Sequence, residues 1–309
     1  MKRHYRVMLG KKCMYAQQCY EGNFIGVDYG INEDLTGNLP DEWRDFNAMY
    51  IPKYLTNRPH KTKIAAGLAC GTIWTMAKGI AIGDLILCPN GEGRYRVAEV
   101  VGDYYHTPGP VLQHRRPVKW LDVMIDKSNL SSEFQASLSA TGTIVAINAP
   151  SYVTEIDHWL TGKAPSSPSQ TECEIDDVGS FAMEKHLEDF LVANWSQTEL
   201  GKGYDIYEEE GEIAGKQYPT DTGPIDILAI SKDKKELLVV ELKRGRASDS
   251  VVGQILRYMG FVNSELAEET QVVKGVIIAL DDDKRIRRAL SVAPNIDFYR
   301  YQISFKLVK

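Results

Sequence analysis

The spacing of apolar residues changes character along the chain. Between residues 180 and 195 the apolar positions 183, 187, 190, 191 and 195 recur at helical intervals, with Ser180 placed as an N-cap. Two dense runs follow, Ile225–Ile230 and Glu236–Leu242, whose length and composition predict the paired strands of a hairpin. A helix is expected from about Asp249 to Asn263, then a strand over 272–280, a basic helix in "DKRIRRALSV" and a closing strand in "IDFYRYQISFKLV". Helix, two strands, helix, strand, helix, strand is the order of an α/β layer around a mixed central sheet.

The first 160 residues have a different texture. Short β-like runs alternate with Gly- and Pro-containing turns: strands near Gly83–Cys88 and Arg94–Val101 flank the turn "PNGEG", and "TGTIVAINAP" predicts another. "LPDEWRDFNAMYIPKYL" predicts a helix with breaks at its prolines, and the first fifty residues give only strand-and-turn texture. A small, mostly β domain with a few helices is the expectation. Between the halves, "TGKAPSSPSQTECEIDDVGS" is rich in Pro, Ser, Thr and acids and lacks an apolar period, so it reads as a linker. The expected organisation is therefore a domain over 1–160, a linker over 161–179 and a second domain over 180–309.

Composition narrows the class. At 309 residues, 43% hydrophobic and 25% charged, the chain is long enough for two globular domains, and no apolar run is long enough to cross a bilayer. No apolar stretch follows the charges of "MKRHYRVMLGKK", so a secretory signal is not expected. The five cysteines are odd in number and form no CxxC pair, which points to thiols in a reducing, cytoplasmic setting and away from a disulfide frame or zinc site. Net charge is −6, but residues 172–212 hold 13 acids against two lysines, whereas residues 213–309 hold 16 Lys and Arg against 13 acids. The segment with the hairpin is thus net positive, and overall acidity does not exclude a nucleic-acid partner.

That hairpin carries charges where a core strand should be apolar. Glu241 and Lys243 stand two apart near the end of "ELLVVELK", so their side chains share a face while Leu242 points away. With Asp226 across the hairpin, two carboxylates and an ammonium would meet, an arrangement that is costly unless a divalent cation lies between the acids. Hard oxygen donors with open positions suit Mg²⁺ or Mn²⁺. Such an ion would activate water at a phosphate, with the lysine positioning that water or offsetting charge in the transition state. An E-x-K triplet alone is equally a surface ion pair. Its context adds weight: Gly223 upstream, a strongly apolar strand beneath, and Gln254 and Tyr258 one turn apart on the next helix with Arg257 beside them.

The stretch "GPIDILAI…LVVELKRGRASDSVVGQILRYMGFV" closely resembles the PD-(D/E)xK nuclease core in its NucS-type and Mrr-like form, over about residues 176–280. The resemblance implies Asp226 and Glu241 as metal ligands with the Leu242 carbonyl, Lys243 as the catalytic lysine, and Gln254 and Tyr258 as the Q-x-x-x-Y feature. "AMEKHLEDFLVANW" is similar to the first helix of that family, where Glu184 matches the acid that in some members completes the site and Glu188 is the competing choice. Arg244, Arg246, Arg257, Arg285, Arg287 and Arg288 are candidates to hold DNA phosphates, which give affinity without sequence information.

In the first half, "AIGDLILCPNGEGRYRVAEVVGDYYH…HRRPVKWL" resembles a PUA-like barrel of the EVE type. Some relatives of that fold bind a modified or flipped base in an aromatic pocket, so Trp74, Tyr104, Tyr105 and Trp120, with Asp103 as an edge acceptor, are candidate pocket residues; for any one of the aromatics, barrel core is the favoured reading. Arg115 and Arg116 in "HRRPVKW" are candidates for phosphate contact, or part of a polar strand edge. The expectation for the whole chain is a Mg²⁺-dependent DNA endonuclease in restriction or phage defence, with modified DNA as one substrate class. A mismatch- or structure-directed repair enzyme and an inactive DNA-binding module are the alternatives. Since one such centre cuts one strand, double-strand cleavage would need a homodimer or two molecules meeting on DNA.

Overall fold

A computed structural model describes residues 2–140, 142–161 and 186–302. These divide into two compact units, 2–62 with 66–161 and 63–65 with 186–302. No helix among the described residues is long and apolar enough to cross a membrane. Beyond Thr161, which is helical, the expected linker and the Ser180 cap lie outside the described residues, as does Cys173. Cys19, Cys70 and Cys88 are buried free thiols and Cys13 is a half-buried one.

Unit one is built on strands β1 (His4–Val7), β2 (Phe24–Val27), β3 (Leu85–Pro89), β4 (Arg94–Val100), β5 (Tyr105–His106), β6 (His114–Asp126) and β7 (Ile144–Ala146). They lie in the order β2-β6-β4-β3-β1-β7, with β5 paired to β6 and β1 parallel to β3. Alternation along the strands fills both faces. Ile86, Cys88, Ala98 and Val100 enter one core with helices α1 (Ala16–Gly22), α2 (Trp43–Asn57) and α3 (Lys63–Trp74). Leu85, Leu87, Tyr95 and Val97 enter a second core with α4 (Ser132–Leu138) and α5 (Pro150–Thr161).

Unit one is therefore a mixed α/β layer, not a mostly β domain; helices cover more of its described residues than strands do. The difference arises chiefly in "TKIAAGLACGTIWTMAKGI". Its small residues suit a turn-rich β texture, yet Ala66, Ala69, Cys70, Ile73, Met76 and Ala77 enter one core at a helical interval. Nor is "HRRPVKW" a strand edge: it forms the start of β6, which is paired on both sides.

Unit two follows the expected order closely. Helix α6 (described over 186–193) leads to β8 (Tyr204–Ile206), a small ribbon of β9 (Glu208–Glu209) and β10 (Glu212–Ile213), and β11 (Lys216–Tyr218). Then come β12 (Ile225–Ser231), β13 (Glu236–Arg246), α7 (Ser250–Phe261), β14 (Val272–Asp281), α8 (Lys284–Leu290) and β15 (Ile296–Arg300). The sheet runs β11-β12-β13-β14-β15, with β8 also on β12; β12 and β13 are antiparallel, and β13, β14 and β15 are mutually parallel.

As the central strand, β13 has Leu237 to Leu242 buried without interruption. Leu238, Val240 and Leu242 join Ile227, Ala229 and α6 in one core, while the alternate residues face away from it. α7 packs closely on β14 at Gly275, where an added Cβ would meet Met259 Sδ at 2.7 Å and Ile255 Cδ1 at 3.0 Å. These contacts seat α7 directly on β14.

Candidate active site

Asp226 stands one residue before Ile227, whose partner on β13 is Val240, so it lies beside Glu241 at the strand ends. The backbone amide of Leu242 donates to Asp226 Oδ2 at 2.8 Å, joining the aspartate to the neighbouring strand. Lys243 Nζ donates to Glu241 Oε1 at 2.8 Å. The Glu241 side chain is 1% exposed and that of Lys243 30%, so the pair reaches from the core to the rim. Beyond Lys243 the register of β13 against β14 shifts before Arg246. A bulge of this kind turns the following residues away from the ladder.

α7 supplies the roof. Gln254 Nε2 donates to the Tyr258 hydroxyl at 3.4 Å, as their i,i+4 spacing allows. Burial raises the Tyr258 pKa, and the Glu241 and Asp226 carboxylates push it the same way, while the Gln254 hydrogen bond opposes them. Gly223 holds φ at +120°, and a Cβ there would meet the Tyr258 hydroxyl at 3.2 Å. The glycine that opens the G-x-x-D stretch thus serves both a left-handed backbone and a close approach.

A third carboxylate comes from α6. Glu188 is buried, at 6% exposure; Gln217 Nε2 donates to its Oε2 at 2.9 Å and also to Asp226 Oδ1 at 3.2 Å. Lys216 Nζ lies 3.8 Å from Glu188 Oε1 and also pairs with Asp189. Burial pushes the Glu188 pKa up to about 7, and Asp226 adds to the rise against the opposing effects of Lys216 and Gln217. Gln217 has a left-handed backbone with φ 50°, which costs a non-glycine residue on the order of 1 kcal/mol. Sequence reasoning missed Gln217; its one signal is a position four residues ahead of the turn at Asp221–Thr222 that leads to Asp226. Glu184 lies outside the described residues, and Glu188 is the α6 acid that reaches this cluster.

The donor set fits a hard divalent cation. Among the described residues no group of three His, Cys, Asp or Glu side chains forms a ready-made cage. Mg²⁺, however, characteristically keeps several waters and is held by one or two carboxylates together with substrate phosphate. Glu188 Oε1 is buried without a hydrogen bond, with the Lys216 ammonium 3.8 Å away, so a metal ion there would share this oxygen with the lysine. The clustered acids supply the charge.

The remaining basic candidates divide in two. Arg257 is exposed on α7, where its Nη1 donates to the Gly253 carbonyl at 3.3 Å. Arg244 is half-buried, and Arg246 pairs with Asp281 at 3.1 Å. Arg287 is held by Asp282 through two hydrogen bonds, while Arg285 and Arg288 are exposed on α8.

In unit one, Arg116 is 5% exposed and gives Nε to Met76 O (2.9 Å), Nη2 to Ala77 O (2.7 Å) and Nη1 to Gly102 O (3.3 Å). It caps the π-helical turn Thr75–Gly79, so its guanidinium is already engaged by backbone carbonyls. Arg115 donates to the carbonyls of Leu112 and Val111 and lies 3.9 Å over the Phe24 ring.

The aromatic candidates are tied to different neighbours. Trp74 packs against Phe46, with centroids 5.5 Å apart, and Trp120 meets Tyr20 edge-on at 4.8 Å. The Tyr104 hydroxyl contacts His114 Nδ1 at 2.9 Å. Tyr105 pairs with Arg115 across β5 and β6, and Asp103 is exposed in the preceding loop.

With this geometry the sequence comparisons become informative. Residues 183–302 match the family model of the endonuclease NucS C-terminal domain. Residues 5–148 match a separate model, described as a domain of unknown function (DUF8426). The chain is 36% identical over 97 residues to an endonuclease NucS of Corynebacterium glutamicum, which is 31% of this chain and 36% of that protein. It is 32% identical over 75 residues to an endonuclease NucS of Methanocaldococcus jannaschii, 24% of this chain and 27% of that protein. The match thus spans about a third of the length of these relatives.

Among solved structures, an EndoMS–dsDNA complex aligns over 69% of this chain and 79% of its own at 15% identity and TM-score 0.33. A repair endonuclease from Pyrococcus abyssi aligns over 69% and 66% at 14% identity and TM-score 0.30.

Proposed function

We propose that the chain is a metal-dependent DNA endonuclease whose phosphodiester-hydrolysing centre is formed by Asp226, Glu241 and Lys243. One observation carries the reading: an aspartate tied to the next strand through Leu242 N–H, beside a Glu–Lys pair, inside the segment that matches the NucS C-terminal domain. Asp226, Glu241 and the Leu242 carbonyl would hold Mg²⁺ or Mn²⁺, with Glu188 as a further oxygen donor. When bound, that ion would lower the pKa of an attacking water and draw charge from the phosphate oxygens. Lys243, partly exposed and steadied by Glu241, would orient the water or donate to a phosphate oxygen. Gln254 and Tyr258 close one side of the centre, and Arg257, Arg246 and Arg244 would contact neighbouring phosphates.

The finer reading is restriction or defence in the cytoplasm, with unit one as a PUA-like reader of the DNA, including modified bases. In that role Arg116 is structural and the phosphate contacts fall to other groups. A mismatch- or structure-directed repair role has the NucS match behind it at least as well; against a full NucS role stands the separate family match of the first half. Double-strand cutting would take a homodimer or two molecules on one DNA.

The test is a cleavage panel of plain, cytosine-modified and mismatched duplexes, with Mg²⁺, with Mn²⁺ and with EDTA. Cleavage is expected only with metal and is expected to disappear in Asp226→Asn and Lys243→Met while DNA binding persists. Nicking that survives in Asp226→Asn would remove the site assignment. Binding without metal-dependent cleavage would leave the inactive DNA-binding module.

A further inference from the structure

Gln217 is adjacent to Lys216 on the edge strand β11, and on a regular strand the two side chains would point to opposite faces. Both nevertheless reach Glu188, the lysine at Oε1 and the glutamine at Oε2. The left-handed backbone at Gln217 is what breaks the alternation. The strand pairing on either side is kept, Lys216 with Ile227 and Tyr218 with Ile225, which leaves Gln217 opposite Asp226. Its amide nitrogen has two hydrogens, and they go to two different carboxylates, Glu188 and Asp226.

From this geometry we infer that Gln217 is a positioning residue that ties Glu188 of α6 to Asp226 of β12, so that the two acids form one cation site. The inference rests on the metal-dependent reading above. Two elements far apart in sequence meet here, and without the bridge two neighbouring carboxylates would repel one another. The amide fixes Oε2 of Glu188 and Oδ1 of Asp226, while Asp226 Oδ2 takes the Leu242 N–H, so each acid is held in place. Hydrogen bonds to metal-binding carboxylates typically set affinity by 10–100-fold.

The experiment measures Mn²⁺ binding to the full chain without DNA, by titration calorimetry or by the loss of free Mn²⁺ signal in electron paramagnetic resonance. Gln217→Gly is the informative variant, because glycine accepts φ 50° freely while the amide is lost. In EDTA it is expected to unfold no earlier than wild type, yet to bind Mn²⁺ roughly tenfold more weakly. In a Glu188→Gln background the same substitution is expected to change Mn²⁺ affinity less than about twofold, since the carboxylate it positions is gone.

Wild-type Mn²⁺ affinity in Gln217→Gly, or a full tenfold effect that persists in the Glu188→Gln background, overturns the inference. If Gln217→Gly unfolds early, Gln217→Asn, which keeps an amide too short for the bridge and tolerates the left-handed backbone, is expected to show the same loss; wild-type affinity there also overturns it. These failures leave the endonuclease reading standing. Failure of that reading is distinct: wild type would bind no Mn²⁺, or Asp226→Asn would bind as wild type does, and the inference would fall with it.

Discussion

Replacing Lys243 by Met removes the ammonium that sits 2.8 Å from a carboxylate 1% exposed. At that distance and an effective dielectric near 20, Coulomb's law gives an attraction of about 6 kcal/mol. Lys243 is 30% exposed, so water screens it and recovers much of that energy when the pair is broken. Loss of a hydrogen bond to a charged, buried partner measures about 2–3 kcal/mol. For a unit of this size that is a fall in Tm of roughly 5–10 °C.

The assay is thermal unfolding of the full chain in EDTA, so that metal plays no part, for wild type, Lys243→Met, Glu241→Gln and the double variant. A neutral amide at 241 has no need of the cation, so the double variant should recover at least half of the Lys243→Met loss. Cleavage should fall by roughly 10²–10⁴ in all three, which separates the stability effect from the chemical one. An unchanged Tm in Lys243→Met, or a double variant equal to the sum of the singles, would refute the buried-pair account.

Arg116→Met should destabilise unit one by at least about 3 kcal/mol, because three carbonyls lose their donor; DNA affinity measured below the unfolding transition should hold. Gly223→Ala should cost about 1–2 kcal/mol in denaturant melts, since alanine is strained at φ +120° and its methyl crowds the Tyr258 hydroxyl. The same variant should cleave more slowly, and wild-type rates there would separate Tyr258 from the centre. Arg257→Ala should weaken binding alike across duplex sequences and reduce the magnitude of the salt slope by about one; a sequence-dependent loss would mean it reads bases instead.

Much of unit two was legible because its signals are local. The hairpin strands, α7 and β14 announce themselves through dense apolar runs and helical spacing, and their bounds fall within a few residues of expectation. The meeting of Asp226 with Glu241 and Lys243 follows from alternation plus one hairpin register. Gln217 was invisible for a physical reason: its role depends on a left-handed residue in an edge strand, which no period reveals. Glu184 and Glu188 would share one helix face at i,i+4, so spacing alone left both open; Glu184 lies outside the described residues. In unit one, Ala, Gly, Cys and Thr in α3 gave too weak a pattern to declare a helix. Arg116 looked like a surface cation because sequence carries no sign of the helical carbonyls waiting for it.

The hydrogen bond from Leu242 N–H to Asp226 makes one side chain a rung of the sheet as well as an acid of the proposed centre. On the proposed mechanism, truncating it would abolish cleavage and also strip a backbone amide of its acceptor, fraying the strand terminus from which Glu241 and Lys243 project. A dead enzyme made as Asp226→Ala would therefore blur chemistry with unravelling. Asparagine, whose carbonyl can still take that amide, gives the cleaner reference protein for trapping uncut DNA.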